Sequence, residues 1–193
     1  MTAEGLPVLD GLVRCIVWIA LWGLACFPLG RLIRWMSPDW TRFPFAEWEW
    51  EQSGRVYERV GIRLWKDLVP DVSQWFPFIV PKKKVNGRPT AASMRGMLME
   101  TCVAELVHDL LCVAGLPLLW LWPGFGGVAV FLVYVILGNI PFILIQRYNR
   151  PRYRRLLSAV EARERRLGHA GADTFEQQRR RPQRDGEGAE GAL

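Results

Sequence analysis

Residues 97–155 read MLMETCVAELVHDLLCVAGLPLLWLWPGFGGVAVFLVYVILGNIPFILIQRYNRPRYRR. The pattern predicts two apolar helices joined by a short turn at residues 122–127. Polar side chains are concentrated at the start of the first arm and the end of the second: Glu105, His108, Asp109, Gln146, Arg147, Asn149 and Arg150. Because the arms of a helical hairpin run antiparallel, we expect these two polar ends to lie side by side.

The apolar residues of this 193-residue chain fall into three blocks, which predicts an all-α integral membrane protein with about three transmembrane helices. The predicted span 125–146 contains 21 uncharged residues, 125–145, which form about 31 Å of helix. Residues 103–122 can span if their two acids and one histidine face protein or the membrane interface. Residues 11–30 hold one charge, Arg14, and lack a basic start, so a span is favoured over a cleaved signal peptide.

Lysine and arginine are unevenly distributed around these spans. Of the 25 basic residues, 12 lie in residues 31–100 and 12 follow Gln146, whereas the turn 122–127 and the residues before Gly11 have none. The positive-inside rule therefore predicts a multi-pass cell-membrane protein with its N-terminus outside and its C-terminus in the cytoplasm. The net charge of +6 indicates attraction to anionic lipid or an anionic substrate, and no nucleic-acid motif is visible.

The segment 35–80 is rich in tryptophan, and we expect it to lie against the cytoplasmic leaflet. One amphipathic helix is predicted over residues 47–68, with apolar contacts that include Trp48, Val56, Val60 and Leu64. Residues 1–156 are assigned to a membrane domain, and residues 157–193 to a charged helix followed by a disordered tail. Cys15, Cys26, Cys102 and Cys112 lack metal or disulfide spacing, so we expect them to be packing residues.

Glu105 and His108 are three residues apart, which places them on one helix face with Thr101 and Cys112. A carboxylate beside an imidazole is a common arrangement for a general base. Ionisable groups inside membrane segments are costly, which favours a catalytic site. In the alternative, Glu105 and His108 pair with each other or with Arg147 only to hold the hairpin together. A metal site is disfavoured, because a di-metal carboxylate centre needs a second Glu-x-x-His motif.

In the second arm, Asn139, Gln146 and Arg150 share a face if the helix continues through Pro141. Pro151 is expected to end this span at Arg150. Asn139 is either an interhelical hydrogen-bonding residue or a donor to an oxyanion, and the sequence leaves both roles open.

Arg147, Arg150 and Arg152 form a predicted guanidinium cluster at the cytoplasmic end of this arm. Such a cluster can bind the phosphates of a pantetheine-bearing donor, and it can also anchor the helix end at the cytoplasmic membrane surface. The chain has no G-x-S-x-G, H-E-x-x-H or P-loop motif, and it has Val113 where an H-x4-D acyltransferase needs aspartate. The second histidine, His169, lies in the charged tail and is not expected to be functional.

The chain resembles the glycosyl-4,4'-diaponeurosporenoate acyltransferase family of bacterial carotenoid synthesis in three strings: METCVAELVH, NIPFILIQRYNRPR and WEQSGRVYERVGIRLWKDLVPD. The resemblance covers about residues 50–156. It implies a membrane acyltransferase that esterifies a sugar hydroxyl of a glycosylated carotenoid, or of a related glycolipid, with a fatty acyl group. The implied partners are membrane lipid, that acceptor, and a donor thioester on coenzyme A or an acyl carrier, with no further cofactor and no metal.

Matching the shared motifs to this sequence gives a set of candidate site residues. The catalytic candidates are Glu105, His108 and Asn139. The substrate-binding candidates are Trp65, Lys66, Asp71, Gln146, Arg147, Asn149, Arg150 and Arg152. In the combined hypothesis, His108 is oriented by Glu105 and deprotonates the sugar hydroxyl, Asn139 or Lys66 stabilises the oxyanion, and the arginines hold the donor. The alternatives are a non-catalytic membrane subunit that docks a partner enzyme, and another lipid group-transfer enzyme.

Overall fold

The computed structural model describes residues 5–69 and 88–180, and every regular element within these ranges is helical. The elements are α1 (Gly5–Trp35), a 3₁₀ helix (Glu49–Gly54), α2 (Arg55–Glu58), α3 (Ile62–Trp65), α4 (Ala91–Ala114), α5 (Leu118–Leu121), α6 (Phe125–Ile136) and α7 (Ile140–Arg180). Three helical stretches are long and apolar enough to cross a membrane: Pro7–Trp35, Ala91–Leu121 and Phe125–His169. The predicted all-α membrane architecture with three spans is therefore confirmed.

The two arms of the predicted hairpin, α4 and α6–α7, run antiparallel. The backbone N–H of Ala91, at the start of α4, donates to Glu164 Oε1 at 2.9 Å. Further along α4, Glu105 meets Arg147, and His108 then meets Asn139. Residues later in α4 thus contact residues earlier in the second arm, as in an antiparallel pair. The predicted proximity of the two polar ends is confirmed.

The N-terminal helix α1 packs along α4 and is tied to it near both ends. Trp18 Nε1 donates to the carbonyl of Ala114 at 2.7 Å, and Arg34 forms two hydrogen bonds with the carboxylate of Glu100. Between these ties, one face of α1 contributes to a buried apolar cluster with α4. Much of the rest of α1 exposes large apolar side chains, as expected for a helix that contacts lipid.

The prediction that the span ends before Pro151 is wrong, because α7 continues through this proline to Arg180. A proline inside a helix removes one hydrogen bond and costs about 3 kcal/mol. Beyond it, Leu157 and Val160 pack on Ala91, Met94 and other residues of α4, and burying such side chains contributes about 1.5–3 kcal/mol each. Tertiary packing therefore outweighs the local preference.

The helix of the second arm is interrupted near Pro141 instead. Residues 137–139 separate α6 from α7, and Pro141 lies in the first turn of α7. Since proline has no N–H, it cannot donate to the carbonyl of Leu137. The regular helix is thus interrupted just before Pro141, and Asn139 lies in the interruption.

The predicted single amphipathic helix over residues 47–68 is also wrong, because three short helices occupy this segment. Gln52, Ser53 and Gly54 have positive φ angles of 48°, 57° and 86°, and Gly61 has a φ of 69°. These left-handed residues reverse the chain direction, so no continuous apolar stripe can form. The predicted apolar contacts of Val60 and Leu64 are not formed, because their side chains are exposed.

Two predictions concern residues outside the described ranges. They are the binding role of Asp71 and the part of the predicted tail beyond residue 180. The predicted charged helix from residue 157 is present as the continuation of α7.

Candidate active site

Glu105 lies at the centre of a buried charged cluster between the two arms of the hairpin. Its Oε1 accepts from Arg147 Nε at 2.8 Å, and its Oε2 accepts from Arg150 Nη2. The Glu105 side chain is only 2% exposed, and that of Arg150 only 4%. Of the pairings that the sequence left open, the structure shows the one between Glu105 and Arg147, and it adds Arg150 as a second partner of Glu105.

Residues 39–69, which we name the interfacial segment after their predicted position, close the cluster from its other side. Glu51 Oε1 accepts from Arg147 Nη1 at 2.9 Å and also from the hydroxyl of Tyr57. Burial, and after it the hydrogen bond to Glu51, raises the pKa of Tyr57 well above its usual range, so this phenol remains protonated. The reversal at residues 52–54 brings Glu51 into position, and Gly54 packs against the backbone of Tyr148.

Each guanidinium group in the cluster uses all three of its nitrogens on protein acceptors. Beyond the carboxylates, Arg147 Nη2 donates to the carbonyl of Pro44, while Arg150 donates to Thr101 Oγ1 and the carbonyl of Phe45. The ring of Trp48 also covers Arg147, 4.7 Å from its Cζ. Two carboxylates and two guanidinium groups balance in charge, which is the arrangement that makes buried charges tolerable.

His108 lies one turn beyond Glu105 and contacts the interruption between α6 and α7. Its Nδ1 is 3.0 Å from Asn139 Oδ1, and its ring stacks on Phe142 with centroids 4.4 Å apart. Asn139 is buried, and its Nδ2 donates to the carbonyl of Tyr134 at 2.9 Å. Since the amide nitrogen faces a carbonyl, the amide oxygen must face the imidazole, and Nδ1 must carry the proton. In the neutral imidazole, the lone pair that can accept a proton is then on Nε2.

The remaining binding candidates lie towards the polar end of the hairpin and differ in exposure. Arg152 donates to Glu58 Oε1 at 3.1 Å, covers the ring of Tyr148, and has a side chain 36% exposed. Lys66 is paired with the neighbouring Asp67 at 2.5 Å, and Trp65 Nε1 donates to the carbonyl of Val60. Two further candidates lie on α7: the buried Gln146 and the half-buried Asn149.

The structure adds Glu51, Tyr57, Thr101 and Phe142 to the site. Thr101 falls on the stripe with Glu105, and its spacing in the sequence was a signal for its proximity. Glu51 and Tyr57 had no such signal, because they reach the cluster through the chain reversal at residues 52–54. Phe142 contacts His108 from the opposite arm, at a distance in sequence that no short motif spans.

These features define a polytopic helical membrane protein whose polar site is built between the two arms of a hairpin and closed by an interfacial segment. Residues 41–159 match the family model described as glycosyl-4,4'-diaponeurosporenoate acyltransferase. The chain belongs to this family, and the resemblance seen in its motifs is confirmed.

Relatives that carry the family name are known from staphylococci. The chain is 29% identical over 120 residues to the glycosyl-4,4'-diaponeurosporenoate acyltransferase of Staphylococcus haemolyticus (strain JCSC1435), covering 56% of this chain and 62% of that protein. It is 29% identical over 121 residues to the protein of the same name from Staphylococcus aureus (strain N315), covering 62% of this chain and 71% of that one. The chain thus spans somewhat under two thirds of the Staphylococcus haemolyticus relative. No solved structure matches it significantly.

Proposed function

We propose that this chain is a membrane acyltransferase that esterifies a sugar hydroxyl of a glycosylated carotenoid, or of a related glycolipid, with a fatty acyl group. The observation that carries the proposal is the hydrogen bond between His108 and Asn139, which orients the imidazole between the two arms of the hairpin. Membership of a family named for this reaction supports it. The donor is an acyl thioester on coenzyme A or an acyl carrier, with no further cofactor.

His108 acts as the general base through Nε2. It takes the proton of the sugar hydroxyl while that oxygen attacks the thioester carbonyl and forms a C–O bond. The tetrahedral intermediate then collapses, the C–S bond breaks, and the leaving thiolate receives the proton from Nε2. Positioned proton transfer of this kind contributes roughly 100- to 10,000-fold in rate.

Asn139 is a positioning residue in this mechanism, because its amide links Nδ1 of His108 to the carbonyl of Tyr134. Its carboxamide oxygen is directed at the imidazole, and one of its N–H groups is used on Tyr134. This geometry favours orientation of the base over the oxyanion role. Lys66 is paired with Asp67 and lies near Tyr153, so we assign it to donor binding and not to the oxyanion.

Glu105, Arg147 and Arg150 hold the hairpin and the interfacial segment together beneath His108. Since all three nitrogens of each guanidinium group already meet protein acceptors, we assign the anionic part of the donor to the more exposed Arg152. Trp65, Lys66, Asp71, Gln146 and Asn149 complete the proposed binding set. The positive-inside rule supports a C-terminus and a donor site that face the cytoplasm.

The test is mass spectrometry of pigments from cells that supply the glycosylated carotenoid and express the full chain. Wild type is expected to produce the acyl ester, and His108→Ala to lower its formation by roughly 100-fold or more. His169→Ala is the matched control, because the only other histidine is exposed on the far part of α7. Equal amounts of each variant in the membrane fraction must be verified by immunoblot.

Full ester formation by the His108→Ala variant would remove this residue from the mechanism and favour the subunit that docks a partner enzyme. A transferred group other than acyl in the wild-type product would identify another lipid group-transfer enzyme.

The positioning role of Asn139 has its own readout. Asn139→Leu should lower kcat with little change in KM, because it misorients the base without touching substrate. Asn139→Asp keeps an oxygen acceptor for Nδ1 and should recover part of the rate. Equal losses in both variants would contradict the orienting role.

A further inference from the structure

We propose that the groove between α1 and α6 holds the fatty acyl chain of the donor, with the thioester carbonyl at the Gly138 end. This inference rests on the proposed acyl transfer and specifies where its hydrophobic substrate lies. The groove has a volume of about 540 Å³ and is lined by Ile19 of α1 and by residues from Ala129 to Gly138. Ligand sites in proteins commonly fall between about 300 and 1,000 Å³.

The residues that line the groove favour an apolar ligand that enters from the bilayer. Apart from Tyr134, the lining side chains are aliphatic or absent, and both contributing helices lie within membrane-spanning stretches. The side chains of Val133 and Leu137 are 58% and 68% exposed, so the groove opens towards lipid. A sugar placed here would lose its hydration without gaining hydrogen-bond partners, at a cost of several kcal/mol per hydroxyl on the alkane scale of about 4–8 kcal/mol.

One end of the groove coincides with the catalytic pair. Gly138 directly precedes Asn139, and the carbonyl of Tyr134, another lining residue, accepts the Asn139 amide. A chain lying in the groove therefore ends one residue from the group that orients His108. A Cβ at position 138 would lie 2.5 Å from the Tyr134 carbonyl oxygen, so the backbone at this end of the groove requires glycine.

The length of the groove favours a fatty acyl chain over the carotenoid. Ala129 and Gly138 are nine residues apart, which corresponds to about 13 Å along a helix. A flexible acyl chain can lie along this length, follow the curve of a helix surface, and extend past Ala129 into the bilayer when it is longer than the groove. A rigid polyene is longer than the groove and cannot bend to stay within it. The acceptor would then approach from the opposite side of the catalytic pair.

The occupant can be tested through the selectivity for chain length. Membranes that contain the full chain are supplied with glycosyl-4,4'-diaponeurosporenoate and an equimolar mixture of lauroyl-, myristoyl-, palmitoyl- and stearoyl-CoA. Ala129→Phe fills the end of the groove distant from Asn139, so it should lower the ratio of stearoyl to lauroyl ester by roughly tenfold, the lower end of discrimination per methylene in apolar pockets. Val128→Phe is the matched control, since it adds the same ring one residue away and does not line the groove.

A second variant works in the opposite direction. Ile19→Ala enlarges the groove from the α1 side and should raise the stearoyl share, which keeps the test decisive if Ala129→Phe fails to accumulate. An unchanged length distribution in these variants, or an equal change in Val128→Phe, overturns the proposal and leaves the groove to ordinary lipid. Absence of any ester from the wild type is a different failure, because it overturns the proposed acyl transfer itself.

Discussion

Replacing Glu105 by glutamine should strongly destabilise the protein, because this carboxylate is the central acceptor of the buried cluster. In the native protein, Glu51 and Glu105 balance Arg147 and Arg150. The substitution leaves an excess positive charge on groups with side chains at most 11% exposed, and it turns one oxygen acceptor into a donor that faces a guanidinium group. Breaking a buried ion pair by removing one partner costs about 3–5 kcal/mol.

The assay is thermal unfolding of the purified protein in detergent, followed by tryptophan fluorescence. For a chain of this size, about 1 kcal/mol lowers Tm by about 2–4 °C, so Glu105→Gln should lower it by about 6–20 °C. Glu161→Gln is the matched control, because its bridge to Arg95 is solvent-exposed, and such bridges contribute about 0–1 kcal/mol. A Tm for Glu105→Gln as close to wild type as that of the control would refute the argument from buried charge.

A double substitution tests the charge balance directly. Arg150→Met alone should be destabilising, but combined with Glu105→Gln it restores a neutral cluster, in which Glu51 still pairs with Arg147. The double variant should therefore be more stable than the sum of the two single losses predicts. Strict additivity would mean that the two residues do not act as a pair. Loss of activity in Glu105→Gln thus reports stability first, and it does not by itself identify Glu105 as catalytic.

Three further predictions concern Tyr57, Gly54 and Arg147. The pKa of Tyr57 is higher in the folded state than its unfolded value near 10, so its contribution to stability is complete below about pH 10 and is lost as pH rises further. In urea titrations, the free energy of unfolding of Tyr57→Phe should therefore fall less steeply at alkaline pH than that of the wild type. Near neutral pH the variant should be less stable by about 1–3 kcal/mol, because the hydrogen bond to Glu51 is lost. Gly54→Ala should cost about 1–2 kcal/mol in thermal unfolding because of its φ of 86°, whereas Gly96→Ala, in open space on α4, should stabilise by about 0.5–1 kcal/mol. Arg147→Lys should lower Tm nearly as much as Arg147→Met, since a single ammonium group cannot reproduce the three directed contacts; full retention of stability in the lysine variant would contradict this geometry.

The partners of the buried residues were harder to predict than their positions. The i, i+3 spacing of Glu105 and His108 correctly put both on the face of α4 that meets the second arm, but spacing along one helix favours pairing within that helix. In the folded protein, the two oxygens of Glu105 bind arginines of α7, and Nδ1 of His108 meets Asn139. A guanidinium group from a facing helix can reach the carboxylate with better geometry than a neighbour on the same helix, and only the register of the hairpin decides which residues face each other.

The prolines and glycines of the sequence predicted some helix boundaries correctly and others wrongly. Pro141 interrupts the helix because local sterics act there without strong opposition, whereas Pro151 is carried inside α7 by packing of the residues beyond it on α4. In the interfacial segment, tryptophan content indicated a surface role, but the left-handed residues at positions 52–54 and 61 divided the expected helix. Local propensity is a weak term of at most a few kcal/mol, and tertiary contacts of similar size can reverse it.

The class of structure could be read from local patterns: three stretches of spanning length with few charges, a tight turn between two of them, and polar residues at one end of the resulting hairpin. These features follow from the hydrophobic effect and from backbone hydrogen bonding, which act on each segment separately. Only the packing of the helices settles which charges neutralise each other, which nitrogen of His108 meets the amide oxygen of Asn139, and where an apolar groove lies beside that contact. Those properties depend on contacts within about 3 Å between residues far apart in the chain, and such distances are fixed only when helices pack in one register.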